Sequence, residues 1–241
     1  MSRFPSPYQS GRPQPFEATE AFNGATVRFF NSVYAWMSAG LAVTALVAWW
    51  VSQSPALVVS ISHWWILLLV AEIVLVMGIS AGIQRIGAAA GTALFMLFAA
   101  INGLVLSSIF LAYSTGTLAS AFVVSAGTFA VMSVFGMVTK RDLTSVGRIA
   151  YMALIGLIIA TIVSFFWHNS MLAVAINYIG VLVFVALTAY DTQKLQQMAI
   201  QIGDNPALAA RMSVVGSLVL YLDFINLFLF IVQIMGGNRR R

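Results

Sequence analysis

The sequence predicts an all-α membrane protein, a bundle of seven transmembrane helices, and three observations carry that reading. Of 241 residues, 61 % are apolar and only 8 % are Asp, Glu, Lys or Arg, against roughly a quarter charged in soluble domains. The apolar residues gather into runs of about 20, the length that crosses a hydrocarbon core. These runs are continuous rather than alternating, and backbone groups in lipid must be satisfied within the segment, so they are helices and not barrel strands. Such a composition excludes a soluble enzyme, a disulfide scaffold and a nucleic-acid-binding domain, the last despite a pI near 9.9. Cysteine is absent, which removes disulfides, thiolate metal sites and a Cys nucleophile.

Residues 1–28 hold Pro5, Pro7, Pro13 and Pro15 among Ser, Gln, Gly and Arg, and read as a disordered cytoplasmic tail. The membrane domain, 29–238, contains apolar runs at 33–51, 64–83, 88–112, 118–138, 149–167, 171–190 and 213–235. The first connection turns at Pro55, the third lies at 113–116, the fourth carries Lys140, Arg141, Asp142 and Arg148, the fifth His168 and Asn169, and the last is Gly203-Asp204-Asn205-Pro206. Leu195, Met198 and Ile202 continue an apolar stripe at helical spacing, so the sixth helix is expected to overshoot the membrane as far as Gly203. Gly78-xxx-Gly82 and Gly87-xxx-Gly91 read as places where helix backbones approach closely. Arg239, Arg240 and Arg241 form a basic C-terminal tail.

Lys and Arg in short loops set orientation. With the N-terminus in the cytoplasm, Arg85, Lys140, Arg141, Arg148, Lys194 and Arg211 fall inside, while the loops at 52–63, 113–117 and 168–170 carry neither. Seven crossings then place Arg239 to Arg241 outside, against the same rule; six crossings and a re-entrant segment is the alternative.

Ionisable side chains inside a span are costly and mark pathways or switches. Four stand out: Glu72 within the second run, Asp223 near the middle of the seventh, and Asp191 and Arg85 at the inner ends of the sixth and second. With a rise of about 1.5 Å per residue, Asp191 lies roughly 20 Å from the last turn and Asp223 roughly 28 Å. The carboxylates meet if tilt, bend or loop takes up that difference, and otherwise stay at different depths. If they meet in low dielectric they cannot both ionise cheaply and would share a proton, which makes the pair a pH sensor. Asn226, three residues after Asp223 on the same face, offers an amide to a carboxylate or an oxygen to an ion. By depth Glu72, Asp223 and Asp191 form a ladder of hard oxygen ligands suited to Ca²⁺ or protons.

Ala189-Tyr190-Asp191-Thr192-Gln193-Lys194 and Leu220-Tyr221-Leu222-Asp223-Phe224-Ile225-Asn226-Leu227-Phe228, with further matching strings at 34–45, 100–109 and 139–143, resemble the Bax inhibitor family and its bacterial branch. The resemblance implies a seven-helix bundle with the last helix at its centre and a pH-dependent Ca²⁺ leak. It implies that Asp191 and Asp223 are the di-aspartyl sensor, which could also hold Ca²⁺, and that Arg85 is the latch. No cofactor is expected, Ca²⁺ entering as the transported ion; the expected partners are membrane lipid, Ca²⁺, protons and other membrane proteins, and the expected location is a bacterial inner membrane.

Two other classes compete. A regulatory protein would act by binding a membrane protease or stress-response partner through its tail. An intramembrane aspartyl protease would also use Tyr-Asp on helix six and Asp on helix seven, but here Tyr221-Leu222 precedes the second Asp where such proteases use Gly-x-Gly. The expectation is transport without catalysis.

Overall fold

The structure, a computed structural model, describes residues 15–167 and 169–237; side chains are described from residue 24 onward, Phe165 excepted. Seven helices follow one another: α1 (Pro15–Ser52), α2 (Pro55–Ser62), α3 (Trp65–Ala112), α4 (Thr115–Val138), α5 (Thr144–Phe166), α6 (Ser170–Ile202) and α7 (Pro206–Gly237). All but α2 are long and apolar enough to cross a membrane. Residues 1–14 of the expected tail and the basic residues 239–241 lie outside the described residues. The remainder of the expected tail, 15–28, opens α1. Pro15 fits the first helical turn, whose N–H has no intrahelical partner in any case, and the Glu, Ala and Phe residues that follow are tolerated in a helix.

The count of seven crossings rests on α3. In a straight helix Glu72 and Asn102 would be about 45 Å apart, yet Asn102 Nδ2 donates to Glu72 Oε1 at 3.0 Å. The chain doubles back midway, at Gly87, whose φ of 78° and ψ of 171° interrupt the helix. That backbone region is open in practice to glycine alone. The arms 65–86 and 88–112 therefore run antiparallel, and with the five other long helices they make seven passes. The short α2 occupies the loop between the first two.

The glycines divide differently from the sequence expectation. Gly87 is the turn itself. Gly91 lies where a Cβ would run into Ile83 of the opposite arm, so the hairpin is tightly closed there. At Gly78 and Gly82 no described atom comes within 4 Å of where a Cβ would stand. Those two do not mediate packing within the chain, because their face of the first arm is turned away from the bundle.

α7 is the central helix. It packs against α1, α3, α4 and α6, and 61 % of its apolar window is buried, against at most 33 % in any other span. Leu218, Leu220, Tyr221 and Leu227 are fully enclosed. Residues on the outer helices, such as Leu46, Val123, Val131, Ile155 and Leu182, are exposed as a lipid-facing surface requires. α5 is peripheral, with α6 as its main packing partner. Of the expected stripe, Leu195 and Ile202 are buried and Met198 is half-buried, with Ala199 buried beside it, and α6 runs helical to Ile202.

Candidate functional site: two polar networks on opposite faces of the central helix

Three consecutive residues of α6 make the inner network. Successive helical side chains point about 100° apart, so Asp191, Thr192 and Gln193, all buried, reach three different neighbours. The Tyr151 hydroxyl of α5 reaches Asp191 at 3.1 Å from Oδ1 and 3.2 Å from Oδ2. Thr192 Oγ1 is 3.1 Å from Ser133 Oγ of α4, which in turn is hydrogen-bonded to the Tyr34 hydroxyl of α1. Gln193 clamps the α4–α5 loop from both ends, accepting from Leu143 N at 2.9 Å and donating to Arg141 O at 2.9 Å. Within that loop the Asp142 carboxylate accepts from Thr144 N and Thr144 Oγ1 at 2.8 and 2.6 Å, which holds its carboxyl below the usual range.

Backbone approach sets this corner. A Cβ on Gly136 of α4 would strike the Ala189 carbonyl, and one on Gly147 of α5 would strike the Tyr190 ring. Tyr190 and Tyr151 meet edge to face, with centroids 6.0 Å apart. Glycines here bring two neighbouring helices against the turn of α6 that carries Asp191.

Asp223 of α7 is buried, and its Oδ2 has no hydrogen-bond partner, the one such buried side-chain atom among the described residues. It lies within electrostatic range of Asp191, and Tyr151 within range of both. The two carboxylates therefore sit on packed helices within electrostatic range of one another. Lys194 is the cation acting on Asp191. Arg85 is exposed beside the Gly87 turn and forms no ion pair among the described residues; it is Arg211 that ties this turn to α7, donating to Gln84 O at 3.2 Å.

The outer network stands on the other side of α7. Tyr221 and Asp223 are two residues apart, about 200° around the helix. The Tyr221 hydroxyl donates to Asn102 Oδ1 at 3.1 Å and lies 2.6 Å from Thr44 Oγ1 of α1. Thr44 Oγ1 also lies 2.8 Å from Ala99 O and 3.0 Å from Gly40 O. Asn102 completes the chain to Glu72. Phe95 and Phe98 pack edge-on against the Tyr221 ring, each with centroids 5.6 Å away.

Glu72 and Asn226, which the sequence reading assigned to one pathway, line a common cavity of about 370 Å³ between the arms of α3 and α7, together with Asn102, Phe98, Leu222 and Leu229. Asn226 does not hold Asp223. Its Nδ2 donates to Leu222 O at 2.8 Å, one turn back in its own helix, because its side chain faces α3. Among the described residues no group of three His, Cys, Asp or Glu converges.

Sequence reasoning named the carboxylates and missed Tyr151, Tyr221, Thr44 and Asn102, which decide what the carboxylates touch. One signal was available: Asn102 is the single asparagine of the run 88–112, and an amide in a span seeks a polar partner.

Comparison with known proteins agrees with the resemblance in the sequence. The family model described as Inhibitor of apoptosis-promoting Bax1 matches residues 26–240. Inner membrane protein YbhL of Escherichia coli K12 is 47 % identical over 215 residues, covering 88 % of this chain and 92 % of that protein. A protein of Deinococcus radiodurans is 44 % identical over 212 residues, and one of Borreliella burgdorferi 40 % identical over 215. Each alignment covers 88 % of this chain and at least 90 % of the relative.

Proposed function

This chain belongs to the Bax inhibitor family, and from that premise we propose that it is a pH-controlled Ca²⁺ leak of a bacterial inner membrane. The observation that carries the reading is the pair of buried carboxylates on α6 and α7, one with an oxygen that no donor satisfies. Two such groups within electrostatic range, in a water-poor interior, share protons as a unit. Removing that shared proton places like charges on the faces of two packed helices, and this is a force that can move α7.

The groups facing Asp191 are Tyr151, Asp223, Lys194 and the neighbouring Tyr190 ring. Tyr151 meets it as a hydrogen-bond donor and Lys194 as a cation. Arg85 serves as the latch in this reading only if the Gly87 turn moves inward, so it belongs to a conformation other than the present one. Glu72 and Asn226 line the outer stretch of the ion path, where their oxygens replace part of the hydration of a hard cation. Two carboxylates are too few to retain Ca²⁺ as a resident ion, which takes six to eight oxygens, and a passage must release what it binds.

Five of the six tryptophans, Trp49, Trp50, Trp64, Trp65 and Trp167, are exposed at helix ends on the face where the loops lack Lys and Arg. That arrangement supports a cytoplasmic N-terminus, since aromatic side chains favour the interface and basic loops stay inside. The relative from E. coli carries "inner membrane protein" in its name, which supports the location. We propose no catalysis: Tyr221-Leu222 precedes Asp223 where an intramembrane aspartyl protease uses Gly-x-Gly to let a substrate backbone approach.

The test is Ca²⁺ flux from liposomes containing the purified protein and a trapped indicator, across a pH series. Asp191→Asn and Asp223→Asn should each flatten the response between about pH 6 and 8, with the double variant little worse than either, as for residues that titrate together. Independent, additive effects on the profile refute the shared proton, and absence of flux in the parent at every pH refutes the leak.

A further inference from the structure

α1 and α4 both pack on α7, yet they do not pack along one another. The seam between them holds two cavities. The outer one, about 330 Å³, is bounded by Thr44, Ala48, Phe110, Leu118 and Phe228. The inner one, about 400 Å³, is bounded by Met37, Phe129, Ser133 and Met137. Leu41, Phe122 and Phe224 line both and form the neck between them. Phe224, on the floor, is gripped by Phe122 and Phe129, each with ring centroids 5.6 Å away. Across the inner end the side-chain link is the Tyr34–Ser133 hydrogen bond.

The question is what fills the outer cavity. Water needs two to four polar partners. The lining offers Thr44 and Thr115, and the Thr44 hydroxyl already faces Ala99 O and Tyr221. A void of this size left empty would forfeit the dispersion contacts of its whole wall. Its volume is in the range of small-molecule sites, and its lining includes exposed Ala45 of α1 and exposed Ala119 of α4, so it opens on the lipid-facing surface. The adjoining solvent is therefore hydrocarbon.

We infer that the α1–α4 seam is a binding site for one acyl chain of a membrane phospholipid, seated in the outer cavity against Phe224 and Phe228. The bound chain takes the place of the missing α1–α4 contact. It also backs onto Thr44, and so onto the Tyr221–Asn102–Glu72 network, giving the bilayer a direct hold on α7. The site does not rest on the proposed leak, although it adjoins the outer network through Thr44 and shares Leu106 and Ile225 with the cavity beside Glu72.

The experiment places the full chain in vesicles of phosphatidylethanolamine and phosphatidylglycerol with a trace of phospholipid carrying a diazirine on one acyl chain. After irradiation, adducts are mapped by mass spectrometry. Adducts should concentrate at 41–48, 118–122 and 224–228, well above those on the freely exposed α5 face at Ile155 and Ile158. Ala119→Trp and Ala45→Trp, at exposed positions on the cavity wall, should each lower cavity labelling about tenfold, a loss of roughly 1.4 kcal/mol in occupancy, and leave α5 labelling unchanged. Cavity labelling no greater than that of α5, or labelling that survives the tryptophans, overturns the site. If neither tryptophan variant folds, the ratio of cavity to α5 adducts in the parent decides.

Discussion

Replacing Gly87 with alanine tests the hairpin on which both the crossing number and the outer network depend. At φ 78° and ψ 171° an L side chain is strained by of order 1–3 kcal/mol. No described atom lies within 4 Å of the new Cβ, so the cost is wholly backbone and cannot be absorbed by a neighbour's rotamer change. For a chain of this size about 1 kcal/mol moves Tm by roughly 2–4 °C, and Gly87→Ala should therefore lower Tm by roughly 2–12 °C. Gly78→Ala and Gly82→Ala are matched controls, since they add the same methyl into open space but on helical backbone. They should be neutral or slightly stabilising, as Ala is the better helix former.

The assay is thermal unfolding in mild detergent, followed by the fraction remaining monodisperse. A parallel measurement places a tag at each end and probes it in sealed vesicles with a protease that cannot cross the membrane. A hairpin at Gly87 gives seven passes and opposite ends on opposite sides. Gly87→Ala as stable as the parent, with Gly82→Ala destabilised, would refute the turn. Finding both ends on one side would replace seven crossings with six.

Two further substitutions probe the inner network. Gly136→Ala drives a methyl into the Ala189 carbonyl and should cost about 1–3 kcal/mol by overpacking, with the pH profile of flux distorted because α6 is displaced two residues before Asp191; an unchanged Tm and profile would show that the two helices yield freely there. Tyr151→Phe removes the donor to both Asp191 oxygens and keeps the ring against Tyr190. It should cost about 1–3 kcal/mol and move the pH midpoint of flux, while Tyr190→Phe leaves the midpoint in place; equal profiles for both would remove Tyr151 from the sensor.

The seven passes were legible because hydropathy is additive along a segment, and each run reaches about the span length by itself. The buried carboxylates were legible for a related reason: with three acids in the spans, each stands out against a hydrocarbon background. Their partners were not, because tyrosine, threonine and asparagine are tolerated throughout such helices and acquire a role only when two helices meet at a definite rotation. Tyr151 illustrates this, since nothing in the 149–167 run separates it from a lipid-facing aromatic. The Gly78 pattern failed in the opposite sense: a small-residue spacing records that backbones can approach, and whether a helix stands on that side is decided by the whole packing. Arg85 was assigned by the family resemblance and by its place at the inner end of the second run, and the structure leaves it exposed beside the Gly87 turn.

The arrangement along α7 explains how so few polar groups can serve one device. Tyr221 and Asp223 are separated by about 3 Å along the axis and about 200° around it, so one rigid helix carries the donor of the outer network on one face and a sensor carboxylate on the other. Neighbouring aromatic pairs fix its rotation: Phe95 and Phe98 hold Tyr221, and Phe122 and Phe129 hold Phe224. In the proposed function, charge repulsion between Asp191 and Asp223 would act at the rim of α7 as a torque or a shift. Because the helix interior transmits strain instead of absorbing it, Tyr221 must move against Asn102 and Thr44 when Asp223 moves against α6. A hydroxyl that donates at 3.1 Å on one side and sits 2.6 Å from a second oxygen on the other leaves little room for displacement before a hydrogen bond is lost. Glu72, held by the amide that Tyr221 also contacts, then loses the partner that fixes its carboxylate. Under the proposed function, a proton exchanged at the inner pair would thus reach the outer acid through a single helix, without any polar chain crossing the apolar centre of the bundle.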